Sequence, residues 1–161
     1  KLREITPKEN IVLVITEAEG LSWPAWKRTH KDGPATIRQL VERIRSWIPS
    51  DRVITTLAGH SGGGSFLFGF LDGAEAIPKD VGRIIFLDAN YSYSDTERHG
   101  NKLSKWLAAD QQHRLVVIAY DDRNITLKSK PVIGPTGGTF RATERMLKYF
   151  RKVFYEGYPL S

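Results

Sequence analysis

Cysteine is absent from the 161-residue chain, methionine occurs once, and histidine occurs only at positions 30, 60, 99 and 113. Without cysteine there is no disulfide, no thiol nucleophile and no cysteine-ligated zinc. The histidines form no HExxH or HxH grouping, so the pattern of a histidine zinc site is missing as well. No apolar run reaches the roughly 18 residues of a membrane span, and nothing in the sequence asks for a metal or a cofactor. Repeats, linkers and low-complexity tracts are also missing.

What remains is an ordinary single-domain composition, 40% hydrophobic and 11% aromatic, enough to build a core. The net charge of +6 comes from 24 Lys and Arg against 18 Asp and Glu, scattered along the chain. The tightest basic group, "LKYFRKVF" at 147–154, reads as the wet face of a helix, so no nucleic-acid partner is expected. The first residue is Lys1 and an apolar run follows closely, which predicts that upstream sequence has been removed. Two N-x-S/T sequons, at Asn90 and Asn124, lean toward a secreted or periplasmic protein.

Element types alternate. "NIVLVIT" (10–16) reads as a strand buried on both faces. A polar loop with Trp23, Pro24 and Trp26 then leads through "KDGP" into an amphipathic helix carrying Ile37, Leu40, Val41, Ile44 and Ile48. "RVITTLAG" (52–59) is a second strand and "GGSFLFGFLDGAEAI" (63–77) an apolar helix. "GRIIFLDAN" (82–90) is a third strand, after which "SDTE" has the form of a capping box opening a helix with Leu103, Trp106 and Leu107. "HRLVVIAYDD" (113–122) is a fourth strand; the loop "PVIGPTGGT", with Gly137 and Gly138 as hinge or cap, precedes a last helix over 140–154. The pattern predicts an α/β fold with a mostly parallel sheet flanked by helices. Ligands and reactive groups then collect at the carboxyl edge, in "TEAEG", "GHSGG", "LDANYSYSD" and "AYDDRN".

Gly59-His60-Ser61-Gly62-Gly63 satisfies G-x-S-x-G between a strand and a helix. In such a turn the serine takes strained dihedrals, and side chains two positions before and after it would collide with backbone. The Gly62 N–H, at the helix N-terminus, is placed to donate to an oxyanion. The alternatives are a structural turn or a nucleotide loop. No P-loop lysine is present and Leu67 stands where G-x-G-x-x-G needs glycine, although Asp88 imitates a ribose-binding acid.

On "LAGHSGGG", "RIIFLDANYS" and "RLVVIAYDDRN", the segment from about Ile11 to Arg123 resembles the core of an α/β-hydrolase of the esterase or peptidase kind. The resemblance implies a three-layer sandwich, Ser61 as nucleophile, and an acid at Asp122 or Asp121, with Asp122 preferred because it lies farther beyond the strand. Asp88 is the alternative acid. A second oxyanion donor is expected from the Ala18 to Gly20 stretch. His60, inside the turn, is expected to fit against neighbouring loops at the substrate site and to point away from Ser61.

The family's histidine follows the acid, and no histidine follows His113. His99 is the one local candidate, against a plain reading as an exposed helix residue. The expectation is therefore a serine hydrolase acting on a small ester, amide or peptide, with its imidazole supplied by a further segment or a second chain. The competing expectation is a non-catalytic binding or scaffold domain, in which Trp23, Trp26, Tyr91 and Tyr93 line a groove.

Overall fold

The computed structural model describes residues 10–156. Three parallel strands, β1 (Thr55–His60), β2 (Val81–Leu87) and β3 (Arg114–Ile118), lie in the order β1-β2-β3. Around them are α1 (Trp23–Thr29), α2 (Gly33–Ser46), α3 (Gly64–Asp72), α4 (His99–Ala109) and α5 (Thr139–Tyr155). A small antiparallel pair, β4 (Thr126–Leu127) and β5 (Lys130–Pro131), projects between β3 and α5. The expected α/β class, a parallel sheet flanked by helices, is what the chain adopts.

From Thr56 and Arg83 onward side chains alternate across this sheet, after a register shift between Thr55 and Thr56. Leu57, Ile84 and Leu115 form one transverse row, and Gly59, Phe86 and Val117 the next. These rows face the core. Helix α3 connects β1 to β2, and α4 connects β2 to β3, both stepping in the same direction. Right-handed crossovers therefore put both helices on the same face. α2 packs on α3, and α5 packs on α4. The interleaved residues Thr56, Ala58, His60, Arg83, Leu87, Arg114, Val116 and Ile118 are exposed on the opposite face.

The core is aromatic. Phe68 of α3 stacks on Phe86 of β2 at 4.9 Å between centroids, and Trp106 of α4 donates from Nε1 to the Val81 carbonyl at 2.7 Å. Gly69 lowers the helix propensity of α3, yet a Cβ there would come within 2.5 Å of Ile37 Cδ1. Close packing of α2 on α3 therefore decides that residue.

Several expectations are corrected. Residues 10–16 have no regular secondary structure, belong to no sheet and make no backbone hydrogen bond among the described residues. Ile11, Val12, Leu13, Val14 and Ile15 are 45% to 84% exposed. The pattern was that of a strand, but a strand also needs a ladder partner. The stretch around Trp23 is a short helix, with Ser22 Oγ accepting from the Ala25 N–H at 3.3 Å and Pro24 in its first turn. α3 stops at Asp72, with Gly73 as its cap. In "SDTE" the Ser94 hydroxyl accepts from the Glu97 N–H at 3.2 Å, but Arg98 at φ +58° interrupts the chain, and α4 begins only at His99.

His99 is not an exposed helix residue; it is 2% exposed. Its Nδ1 accepts from the Ser94 N–H at 3.1 Å, which leaves Nε2–H to donate to Asp72 Oδ1 at 2.7 Å. Asp72 Oδ2 also receives Lys27 Nζ at 3.4 Å, so one carboxylate joins α1, α3 and α4. Burial acts to raise the Asp72 carboxyl, but the His99 hydrogen bond and the Lys27 charge outweigh it and hold the group below its ordinary value. Because the folded value lies below the unfolded one of about 3.9, its stabilisation is complete above that pH and is lost as pH falls through the folded value. Asp72→Asn is accordingly expected to cost about 1–3 kcal/mol at neutral pH, and the gap to the parent to narrow in acid. Urea denaturation across the acid range checks this, and a gap independent of pH would refute the linkage.

Candidate active site at the carboxyl edge of the sheet

β1 ends at His60, and the chain reverses through a single 3-10 turn, Ser61–Gly63, into α3. Ser61 takes φ +47°, a left-handed conformation that a residue with a side chain adopts only at a cost of about 1–2 kcal/mol. It is exposed, and its hydroxyl has no hydrogen-bond partner among the described residues. A Cβ on Gly59 would lie 2.9 Å from the Gly63 carbonyl group, so the turn closes only around glycine there. Gly63 itself is unconstrained, with nothing within 4 Å of a Cβ. The second obligatory glycine is Gly64, whose Cβ would overlap the Ala89 carbonyl. The expected collision two residues after the serine therefore falls one residue later; the only sequence signal for it is the third glycine of the run.

Gly62 lies in the first turn, among the N–H groups that a helix leaves without an intrahelical acceptor. Helix α1, which follows the stretch carrying Ala18 and Gly20, comes close by. Ala18 is buried, Gly20 takes φ +71°, and Pro24 Cδ lies 3.7 Å from a Cβ on Gly62. Trp23 packs edge-on against Phe66 at 4.8 Å and against Trp26 at 5.5 Å. Tyr93 is buried and Tyr91 lies 3.4 Å from Ser65 Oγ through its hydroxyl, so Trp23, Trp26 and Tyr93 are packing residues.

The candidate acids divide. Asp121 is exposed and paired with Arg123 at 2.7 Å. Hydrogen bonds from Arg123 hold its carboxyl down to about 2. Asp122 is 4% exposed and accepts from the backbone N–H groups of Thr139 at 2.7 Å and Phe140 at 3.3 Å, capping α5 from 17 residues upstream. Gly138, the α5 N-cap at φ +91°, lies so close that a Cβ would sit 2.6 Å from Asp122 Oδ2. Asp88 follows β2 at φ +49°, and its N–H donates to the Ile118 carbonyl at 2.6 Å. Thr139 Oγ1 donates to Asp88 Oδ1 at 2.6 Å and lies 3.2 Å from Asp122 Oδ2. Thr139 thus links the two carboxylates, a role that the "TGGT" run hinted at only as a helix start.

His60 and Asp88 line a shallow hollow of ≈ 260 Å³ with Leu87, Ile118, Ala119 and Tyr120. His60 projects from β1 toward the exposed face. His99 is committed at both ring nitrogens to Asp72 and Ser94, which leaves neither for Ser61. The carboxyl edge therefore assembles Ser61, Gly62, Asp88 and Asp122, and among the described residues no imidazole is set against the serine. Of the two sequons, Asn90 is fully buried, its Nδ2 donating to Thr143 Oγ1 at 2.9 Å, whereas Asn124 is exposed.

Among the described residues no helix is long and apolar enough to cross a membrane, and no group of three or more His, Asp or Glu is placed to hold a metal ion. Comparison of the chain with protein-family models, with curated proteins and with solved structures gives no match in any of the three.

The glycine geometry makes a test. Gly64→Ala is expected to destabilise by about 3 kcal/mol, because its methyl group meets a carbonyl rather than a yielding side chain. Gly63→Ala, at helical φ and with open space around it, is expected to change stability by less than about 1 kcal/mol. Thermal denaturation of the two variants decides, and equal losses would contradict the assignment.

Proposed function

We propose that this chain carries the nucleophile turn of a serine hydrolase that cleaves an ester or amide through an acyl-serine intermediate, within a hydrolase-like three-layer sandwich whose layer on the open face of the sheet would come from further polypeptide. The observation that supports the reading is the backbone of Ser61: φ +47°, exposed, between a parallel strand and a helix N-terminus. Strained residues of this kind persist where the surroundings over-determine them, and they cluster at reactive sites.

In the proposed reaction Ser61 Oγ attacks the substrate carbonyl carbon while its proton passes to an imidazole from polypeptide outside this chain. The Gly62 N–H and a second donor from the Ala18 to Gly20 loop hold the oxyanion. Collapse of the tetrahedral species expels the alcohol or amine, which takes the proton, and water then releases the acid by the same steps. The orienting carboxylate is Asp122 or Asp88, which Thr139 ties together. Asp121, fully committed to Arg123, is the weakest of the three candidates.

A fluorophosphonate probe followed by intact mass and peptide mapping tests the reading on the full natural polypeptide. One adduct on Ser61, absent from Ser61→Ala, is expected, with a labelling rate that rises through about pH 6.5 as the imidazole loses its proton. An unlabelled serine would instead favour a hydrolase fold retained for binding. Stability gives a second readout. Ser61→Gly is expected to stabilise by about 1 kcal/mol by relieving the left-handed strain, whereas Ser61→Ala is not. A Ser61→Gly variant no more stable than Ser61→Ala would count against a strained turn.

A further inference from the structure

One face of the sheet is uncovered by any described residue, and its side chains form three ordered rows. Thr56, Arg83 and Arg114 are in register in the first, Ala58, Ile85 and Val116 in the second, and His60, Leu87 and Ile118 in the third. Ile118 is 60% exposed, Leu87 37% and Val116 36%. Parallel sheets are ordinarily covered on both faces, because the crossover connections that parallel strands require lay helices against them.

The dimensions and charge of this face define what fits it. Three strands span about 10 Å, the width of one α-helix with its side chains. From the first row to the third is about 13 Å, or roughly nine residues of helix. The Arg83 guanidinium has no hydrogen-bond or ion-pair partner among the described residues, and Arg114 donates only to the carbonyls of Gln111 and His113. An occupant that covers this face takes two neighbouring cations at one end of an apolar stripe out of water, and carboxylates opposite them offset that cost. A second copy of the sheet would not supply these: packed one way it would set arginine against arginine, and packed the other way arginine against Leu87 and Ile118.

We propose that this face docks an amphipathic helix of a partner polypeptide, apolar over Ile85, Leu87, Val116 and Ile118 and acidic over Arg83 and Arg114. The inference stands whether or not Ser61 is a nucleophile. Docking would also close the hollow beside His60 and Asp88, and so would change access to the carboxyl edge.

Two synthetic helical peptides of about 12 residues, with the same Leu–Ala stripe and either two Glu or two Lys at one end, serve as probes of the ¹⁵N-labelled chain. The acidic peptide is expected to shift the amides of Ala58, Ile85, Val116 and Ile118 and to bind about tenfold more tightly than the basic one. Arg83→Glu combined with Arg114→Glu should reverse that preference. Equal affinities, shifts that map away from these strands, or a dimer in sedimentation that buries the same amides would each overturn the proposal. The comparison of peptides on the parent chain holds even if the double variant misfolds.

Discussion

The approach of α3 to the chain leaving β2, where Gly64 lies against the Ala89 carbonyl with no room for a Cβ, sets the geometry of the whole carboxyl edge. It brings the N-terminus of α3 down onto the residues that follow Leu87, so that Ser61 and Asp88 both turn through left-handed conformations at adjacent strand ends. Two such residues cost about 1–2 kcal/mol each. The offset comes from α3, where every residue from Gly64 to Leu71 is buried. Phe66, Leu67, Phe68, Phe70 and Leu71 contribute about 1.5–3 kcal/mol apiece, several times the strain. An apolar helix with little surface of its own is therefore what allows an exposed serine to be held in an unfavourable backbone.

A second helix N-terminus meets the same edge. Asp122 satisfies the first N–H groups of α5, and the Thr139 hydroxyl carries the connection on to Asp88. The ends of β2 and β3 and the start of α5 are fixed to one another by three polar side chains. A carboxylate in this cluster cannot drift. Such fixity suits an acid that must orient a partner, and it equally suits a cap, which is why the cluster alone leaves Asp88 and Asp122 as joint candidates within the proposed reaction.

The sequence made the parallel sheet and most elements readable because each rested on a local pattern: apolar β-branched runs for β1 to β3, a 3.6-residue stripe for α2 and α5, glycine around Ser61. Where the reading failed, the deciding contact was distant. His99 looked like a surface helix residue because its partner, Asp72, lies 27 positions away and nothing local marks the pair. The strand expected at 10–16 had the right composition but needed a neighbour, and composition does not reveal whether a neighbour exists. Gly64 escaped notice because the motif directs attention to Gly63, while the crowding at this site comes from the Ala89 carbonyl. The buried Asn90 shows the same limit from the other side, since a sequon is local and its burial is not.

The features left open by the fold are of one kind. Ile11 to Ile15 lie outside any sheet with their side chains exposed, the sheet presents an apolar face with two arginines at one end, and the exposed Ser61 hydroxyl has no hydrogen-bond partner among the described residues. The first two expose what is costly to leave unpartnered: apolar area at about 25 cal/mol per Å², and in the first case backbone without hydrogen-bond partners as well. A second polypeptide laid on the sheet face would bury its apolar area directly. Under the proposed chemistry, a polypeptide reaching the hollow between His60 and Asp88 would arrive beside the serine as well, so that covering the fold and completing the reaction become a single event.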